Sequence, residues 1–217
     1  PIKHMYYLIS ELVQFSGILL CFIAFQRKKY LLNKLLLTIY LYVALCLILQ
    51  ILQFVLAYSV SNNLPVFHGQ TLLEFILLSV FFHQFFEKKK VKRSIEIIAI
   101  LFILFATGNA LFLEPPLETF NSNTRAVSSL IITAYCLAYY YTQISHPKLV
   151  SLHQDATFWL VTGIFFYYSG TAIIGSIWSF LNQSKSELFR ITWEVQNLFN
   201  LIKYALFVFS LRYIPAR

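Results

Sequence analysis

Residues 35–58 read LLLTIYLYVALCLILQILQFVLAY, twenty-four positions without an aspartate, glutamate, lysine, arginine or histidine. As a helix rising about 1.5 Å per residue, this stretch is long enough to cross the roughly 30 Å hydrocarbon layer of a bilayer. Outward from it, hydropathy predicts six further helices near 5–26, 67–86, 95–113, 125–144, 158–181 and 193–211. Between these runs lie charge clusters and turn formers, among them Arg27-Lys28-Lys29, Asn62-Asn63-Leu64-Pro65, Glu114-Pro115-Pro116 and His146-Pro147-Lys148. Lipid offers no partner to free backbone groups, so such breaks belong at the water boundary.

Composition agrees. The 217 residues are 59% hydrophobic and 12% charged, with a mean hydropathy of +0.68, well outside the ordinary range of soluble domains. The first run begins close to the start and lacks a small-residue cleavage site, so it reads as a first spanning helix, not a signal peptide. The expectation is an all-α, polytopic membrane protein: one domain over 1–217, a seven-transmembrane-helix bundle with its N-terminus outside and its C-terminus cytoplasmic.

That orientation follows from the bases. With alternating crossings, Arg27, Lys28, Lys29, Lys34, Lys88, Lys89, Lys90, Lys92, Arg93, Lys148, Arg212 and Arg217 fall on one side; Lys3, Arg125, Lys185 and Arg190 fall on the other. The richer side reads as cytoplasmic by the positive-inside rule. The formal net charge of +8 is then a topology signal and a contact for anionic lipid headgroups, and nucleic acid is not an expected partner. Aromatic residues near predicted helix ends, such as Tyr7, Tyr30, Tyr58, Trp159, Trp178, Trp193 and Tyr213, fit an interfacial belt. Cys21, Cys46 and Cys136 sit inside apolar runs with no CxxC spacing, which suits small packing residues.

Charge at membrane depth is costly, so the informative positions are Glu11, Glu74 and Lys203. Glu11 and Glu74 lie six or seven residues below the outer helix ends, roughly 10 Å deep, and Lys203 lies near the middle of the seventh helix. Helical side chains lean toward their own N-terminus, which carries the Lys203 ammonium up toward the carboxylates and makes a direct ion pair reasonable. Asn197, Asn200 and Lys203 form a stripe at three-residue spacing; Gln14, Gln50, Gln53 and Asn109 occupy the same outer half. One reading is buried glue that fixes helix pairing. The other is a ligand-binding cavity open to the outside, lined by Glu11, Gln14, Gln50, Gln53, Glu74, Asn197, Asn200 and Lys203 on helices 1, 2, 3 and 7.

No cofactor is expected, although three were weighed. A mid-membrane lysine on a seventh helix suggests a retinal Schiff base, yet the chain resembles microbial rhodopsins in that lysine alone: Phe199-Asn200 stand where that family carries an acidic residue. Zinc could be held by His83, His146, His153 and Asp155 near the cytoplasmic face, as in an intramembrane lipid-acting hydrolase, but His146 and His153 are seven residues apart and no HExxH occurs. Two stacked haems would need partners for His68 and His83, and only His4, His146 or His153 are available, near or beyond helix ends. No GxSxG elbow, Walker loop or dinucleotide turn is present.

The sixth helix reads Phe158-Trp159-Leu160-Val161-Thr162-Gly163-Ile164-Phe165-Phe166-Tyr167-Tyr168-Ser169-Gly170, and its continuation places Thr171 and Gly175 at small-residue spacing for close helix contact. This FW-x-x-x-G-x-x-x-Y-x-S-G segment, with the run from Asn197 to Phe207, resembles an uncharacterised group of bacterial seven-helix membrane proteins. The resemblance implies a place in bacterial membrane signalling, in the inner membrane. Together these readings give the expectation of a non-enzymatic, receptor-like or sensory protein that binds a small ligand and signals through a separate membrane or cytoplasmic partner. A small transporter or channel component is the alternative.

Overall fold

The structure, a computed structural model, describes residues 2–28, 33–60, 62–145, 151–183 and 187–214, with side chains described except at 2–10, 58 and 176–190. Lys29, Tyr30, His146, Lys148, Lys185 and Arg217 lie outside the described residues. The chain is all-helical. Its seven helices are α1 (Ile2–Arg27), α2 (Lys34–Ser59), α3 (Leu64–Phe85), α4 (Lys89–Phe112), α5 (Ser122–Ser145), α6 (Ala156–Gln183) and α7 (Glu187–Ser210), with short 3₁₀ turns at Leu152–Gln154 and Leu211–Tyr213.

Most helices run a few residues past the apolar stretches that announce them. α4 begins at Lys89, six residues before its apolar run, because a lysine-rich turn suits a helix emerging into water as well as a loop. Caps mark the starts. Asn33 Oδ1 accepts from the Leu36 amide at 2.9 Å before α2, and Asp155 Oδ1 accepts from the Thr157 amide at 2.8 Å before α6. Glu114, in the turn after α4, reaches forward to the start of α5 and accepts from the Asn123 amide at 3.0 Å. Each satisfies a donor that a helix N-terminus otherwise leaves open.

Four segments are long and apolar enough to cross a membrane: Lys34–Ala57, Leu64–Phe85, Lys89–Phe112 and Ala156–Gly175. α4 makes the case most plainly. Ile100, Leu101, Leu104, Leu111 and Phe112 are all more than half exposed, a continuous apolar face that water would penalise and lipid would not. The chain is a membrane protein on this evidence.

Packing closes a ring. α1 lies against α2 and α7, α2 against α3, α3 against α5, α5 against α6, and α6 against α7, while α4 rides outside on α3 and α5. The tightest seams involve α6, whose glycines admit neighbours: a Cβ on Gly163 would stand 3.1 Å from the Lys203 carbonyl oxygen, and one on Gly170 would stand 2.5 Å from the Phe199 ring. A Cβ on Gly175 would stand 3.4 Å from the backbone of Ala126 on α5. Small residues thus bring backbones together where apolar burial offers little drive.

The ends of the ring differ. At one end Lys28 Nζ donates to the Leu211 carbonyl at 2.5 Å, Thr38 donates to Gln84 at 3.2 Å, and His83 pairs with Glu96 at 2.8 Å. Arg27, Lys34, Lys88, Lys89, Lys90, Lys92, Arg93 and Arg212 belong to the same helix ends. At the other end, where α1, α3, α5 and α7 begin, polar side chains turn inward.

Candidate functional site

All six ring helices contribute to one polar cavity at that second end, about 30 Å³ in volume. From the expected set, Glu11, Gln14, Gln50, Gln53, Asn197 and Asn200 line it; Phe67, Gln70, Arg125, Tyr167, Trp193 and Gln196 complete the wall. The volume is close to one water molecule's share of the liquid, roughly 30 Å³.

Glu11, near the start of α1, accepts at both carboxyl oxygens: from Gln50 Nε2 at 3.1 Å and from Trp193 Nε1 at 3.1 Å. Both donors are neutral, and among the described residues no base pairs with Glu11. From α2, Gln53 Nε2 donates to Gln70 Oε1 on α3 at 2.5 Å, and Gln70 Nε2 donates to Glu74 Oε1 at 2.6 Å. One turn separates Gln70 from Glu74, so helical geometry alone aligns that pair.

Arg125 comes from the first turn of α5 and reaches across to α6, donating from Nη2 to Tyr167 Oη at 2.8 Å. With its amide oxygen turned inward, Gln196 on α7 accepts from Arg125 Nη2 at 2.6 Å and from Nε at 3.1 Å. Arg125 and Tyr167 also border a second, smaller cavity of about 10 Å³, lined by Thr71, Glu74, Ser128, Ser129 and Thr171 as well.

Beneath both cavities runs a chain of hydrogen bonds. Lys203 Nζ donates to Tyr42 Oη at 2.8 Å, the hydroxyls of Tyr42 and Tyr168 lie 3.3 Å apart, and Tyr168 donates to Glu74 Oε2 at 2.8 Å. The expected direct Glu74 to Lys203 ion pair is therefore corrected: two phenols stand between the groups. Lys203 is 1% exposed and sits over the rings of Tyr167, Tyr204 and Tyr42, at 4.0, 4.5 and 5.0 Å from their centroids. Aromatic faces take over the solvation that water would give an ammonium. Lys203 lines neither cavity, a second correction to its expected place in the ligand wall, and the tyrosine cage is the reason.

Asn109 also departs from the outer polar set. Its Nδ2 donates to Glu114 at 2.7 Å and to Thr124 at 3.0 Å, which commits it to the α4–α5 turn.

Of the seven buried side-chain atoms without a hydrogen-bond partner among the described residues, two face these cavities. Asn200 Oδ1 and Ser129 Oγ are buried with no partner among the described residues; Asn200 faces the larger cavity and Ser129 the smaller. A buried acceptor without a donor costs about 1–3 kcal/mol, and both of these can be met from within the cavity they face.

The alternative sites do not assemble. Among the described residues no three histidine, cysteine, aspartate or glutamate side chains gather as a metal cluster. His83 is held by Glu96, Asp155 caps α6, His153 offers its carbonyl to Trp159 Nε1 at 2.9 Å, and His146 lies outside the described residues. His68 bonds the Thr119 carbonyl at 3.0 Å. A wider recess of about 310 Å³ opens at the basic end beside Asn33, Gln143, Asp155 and Tyr213.

Gln70, Arg125, Tyr167, Trp193 and Gln196 are the site residues that the sequence reading missed. Gln70 carried a signal, its four-residue spacing from Glu74, and Gln196 precedes the named Asn197. Comparison with family models, with curated proteins and with solved structures finds no match.

Proposed function

We propose that this chain is a seven-helix integral membrane protein that senses a small polar ligand in its outer cavity and passes the change to a separate membrane or cytoplasmic partner. In this reading all seven helices cross the bilayer, the N-terminus is outside, and the basic end meets the cytoplasm and its anionic headgroups. The resemblance of α6 and α7 to bacterial seven-helix proteins supports placement in a bacterial inner membrane.

The single observation that carries the reading is convergence: six helices direct polar side chains into one cavity, and Asn200 Oδ1 is left there without a donor. Glue between helix pairs would satisfy its own groups. α7 is the element suited to convey occupancy, because it carries Trp193 and Asn200 at the cavity, Lys203 at mid-depth, and leads into Leu211, which is tied to Lys28. Ligand that bonds differently to two placements of α7 shifts the balance between them.

A second reading has its own observation. The chain from Glu74 through Tyr168 and Tyr42 to Lys203 joins buried ionisable groups of the kind that proton-coupled transporters use.

Thermal unfolding of the detergent-purified protein in a panel of small polar solutes tests the first reading. A saturable rise in midpoint that Asn200→Leu removes is expected. No saturable rise with any solute, or the same rise in the variant, overturns it; solute-driven acidification of proteoliposomes moves the conclusion to the transporter.

A further inference from the structure

We infer that occupancy of the outer cavity reaches α7 as an internal proton transfer, in which Lys203 gives a proton to Glu74 through the hydroxyls of Tyr42 and Tyr168. This rests on the reading of the cavity as a ligand site and supplies the step by which that site acts on α7.

The two ends of the chain fix the direction of its bonds. An ammonium has no lone pair, so Tyr42 Oη accepts from Lys203 Nζ at 2.8 Å. The Tyr42 proton is then turned to Tyr168 Oη, 3.3 Å away, and the Tyr168 proton goes to Glu74 Oε2 at 2.8 Å. Three protons can shift together along this line. One N–H and two O–H bonds break, and the same hydrogens bond to Tyr42 Oη, Tyr168 Oη and Glu74 Oε2. The products are a neutral amine and a carboxylic acid. No proton enters or leaves, both phenols stay neutral, and each hydrogen bond survives with donor and acceptor exchanged.

Each charged end has its own support. Around the ammonium stand the rings of Tyr167, Tyr204 and Tyr42. Glu74 accepts from Gln70 Nε2 at 2.6 Å and from Cys46 Sγ at 3.5 Å, and shares the smaller cavity with Arg125. Gln70 is the support that bonds Glu74 directly and that a guest can reach, because both Gln70 and the Gln53 amide that holds it line the larger cavity. A guest that takes the Gln70 amide removes a bond to the carboxylate worth about tenfold to a hundredfold in the balance between charged and neutral forms. Once neutral, Lys203 loses its attraction to the aromatic faces, which acts on a cation. Its bond to Tyr42 ceases to be charge-assisted, so the tie between α7 and α2 across the ring weakens.

Gln70→Met withdraws the same donor without any ligand, from a position that is only half-buried; Gln70→Ala is the second variant should the first fail to fold. Infrared spectra of the full chain in detergent read the protonated carboxyl, assigned by its loss in Glu74→Gln. Nitrogen NMR of lysine-labelled protein reads Lys203, assigned by its loss in Lys203→Arg. The Gln70 variants should raise the ratio of protonated to ionised Glu74 about tenfold or more and convert a matching fraction of Lys203 to amine, with no net proton uptake from the buffer. After a temperature jump, the carboxyl band should relax about tenfold or more slowly when Tyr168→Phe is added. The relay is excluded if neither Gln70 variant raises the band, if the band rises with proton uptake while Lys203 stays an ammonium, or if Tyr168→Phe leaves the relaxation unchanged. Those results would leave the ligand site standing wherever a solute still gives a saturable rise that Asn200→Leu removes. If no solute saturates, the relay has no input and falls with the reading it rests on.

Discussion

Glu11 and Glu74 are the same residue type at the same expected depth, yet their surroundings differ in kind. Glu74 is 6% exposed and accepts from Gln70, Tyr168 and the Cys46 thiol, with a base at the far end of the tyrosine chain. Glu11 is half-buried, accepts from two neutral groups, and borders open volume. A buried charge that is fully partnered reports on folding; one that is partnered by neutral donors at a cavity edge reports on binding. Burial depth alone did not separate them. The set of partners did.

The contrast can be broken hardest at Lys203. Lys203→Met strands the Glu74 carboxylate and should cost about 3–5 kcal/mol in detergent-based unfolding; adding Glu74→Gln should recover more than half of that, because the second change removes the stranded charge. Full additivity of the two losses would mean that the phenols do not couple the groups.

Tyr168→Phe cuts the chain while leaving both charges in place. A loss of about 1–3 kcal/mol is expected, the cost of unsatisfied buried partners on either side. No loss would indicate that a water or Tyr42 alone bridges the gap.

Glu11→Gln should cost about 1 kcal/mol, since the amide keeps one acceptor and faces the second donor with an NH2 but leaves no base unpaired. A cost comparable to that of Lys203→Met would erase the distinction between the two carboxylates.

The helices are legible because lipid demands long apolar runs, and both ends of α2 and α6 lie within two residues of the expected ones for that reason, whereas α7 begins at Glu187, six residues before the expected 193. α4 was cut short because its first turn, Lys89 to Ser94, is polar, and hydropathy cannot tell a solvated helical turn from a loop. Within the site, positions on one helix were legible from spacing: Asn197 with Asn200, Gln50 with Gln53. What spacing could not supply was convergence between helices. Arg125 counts in the sequence only as an outer-side charge at the start of the helix expected over 125–144, yet the first turn of α5 aims it inward at Tyr167. Tyr42, Tyr167 and Tyr168 vanished among 14 tyrosines and 22 phenylalanines; only their hydroxyl partners distinguish them from packing. Lys203 stands out in the sequence as a costly charge, but its compensation comes from aromatic faces, which sequence does not order in space.

The notch at Gly170 has a mechanical meaning. The Phe199 ring occupies the place of a missing side chain on α6, and one turn further along α7 the Lys203 backbone rests against Gly163, seven residues from Gly170 on the same face. A ring seated in a slot acts as a detent: α7 cannot creep along α6 by fractions, because intermediate positions force the ring onto side-chain bulk. The other glycine on this face, Gly163, lies seven residues away, about 10.5 Å along the helix, so the ring has no second seat within one turn and the two notches together fix the register of α7 on α6.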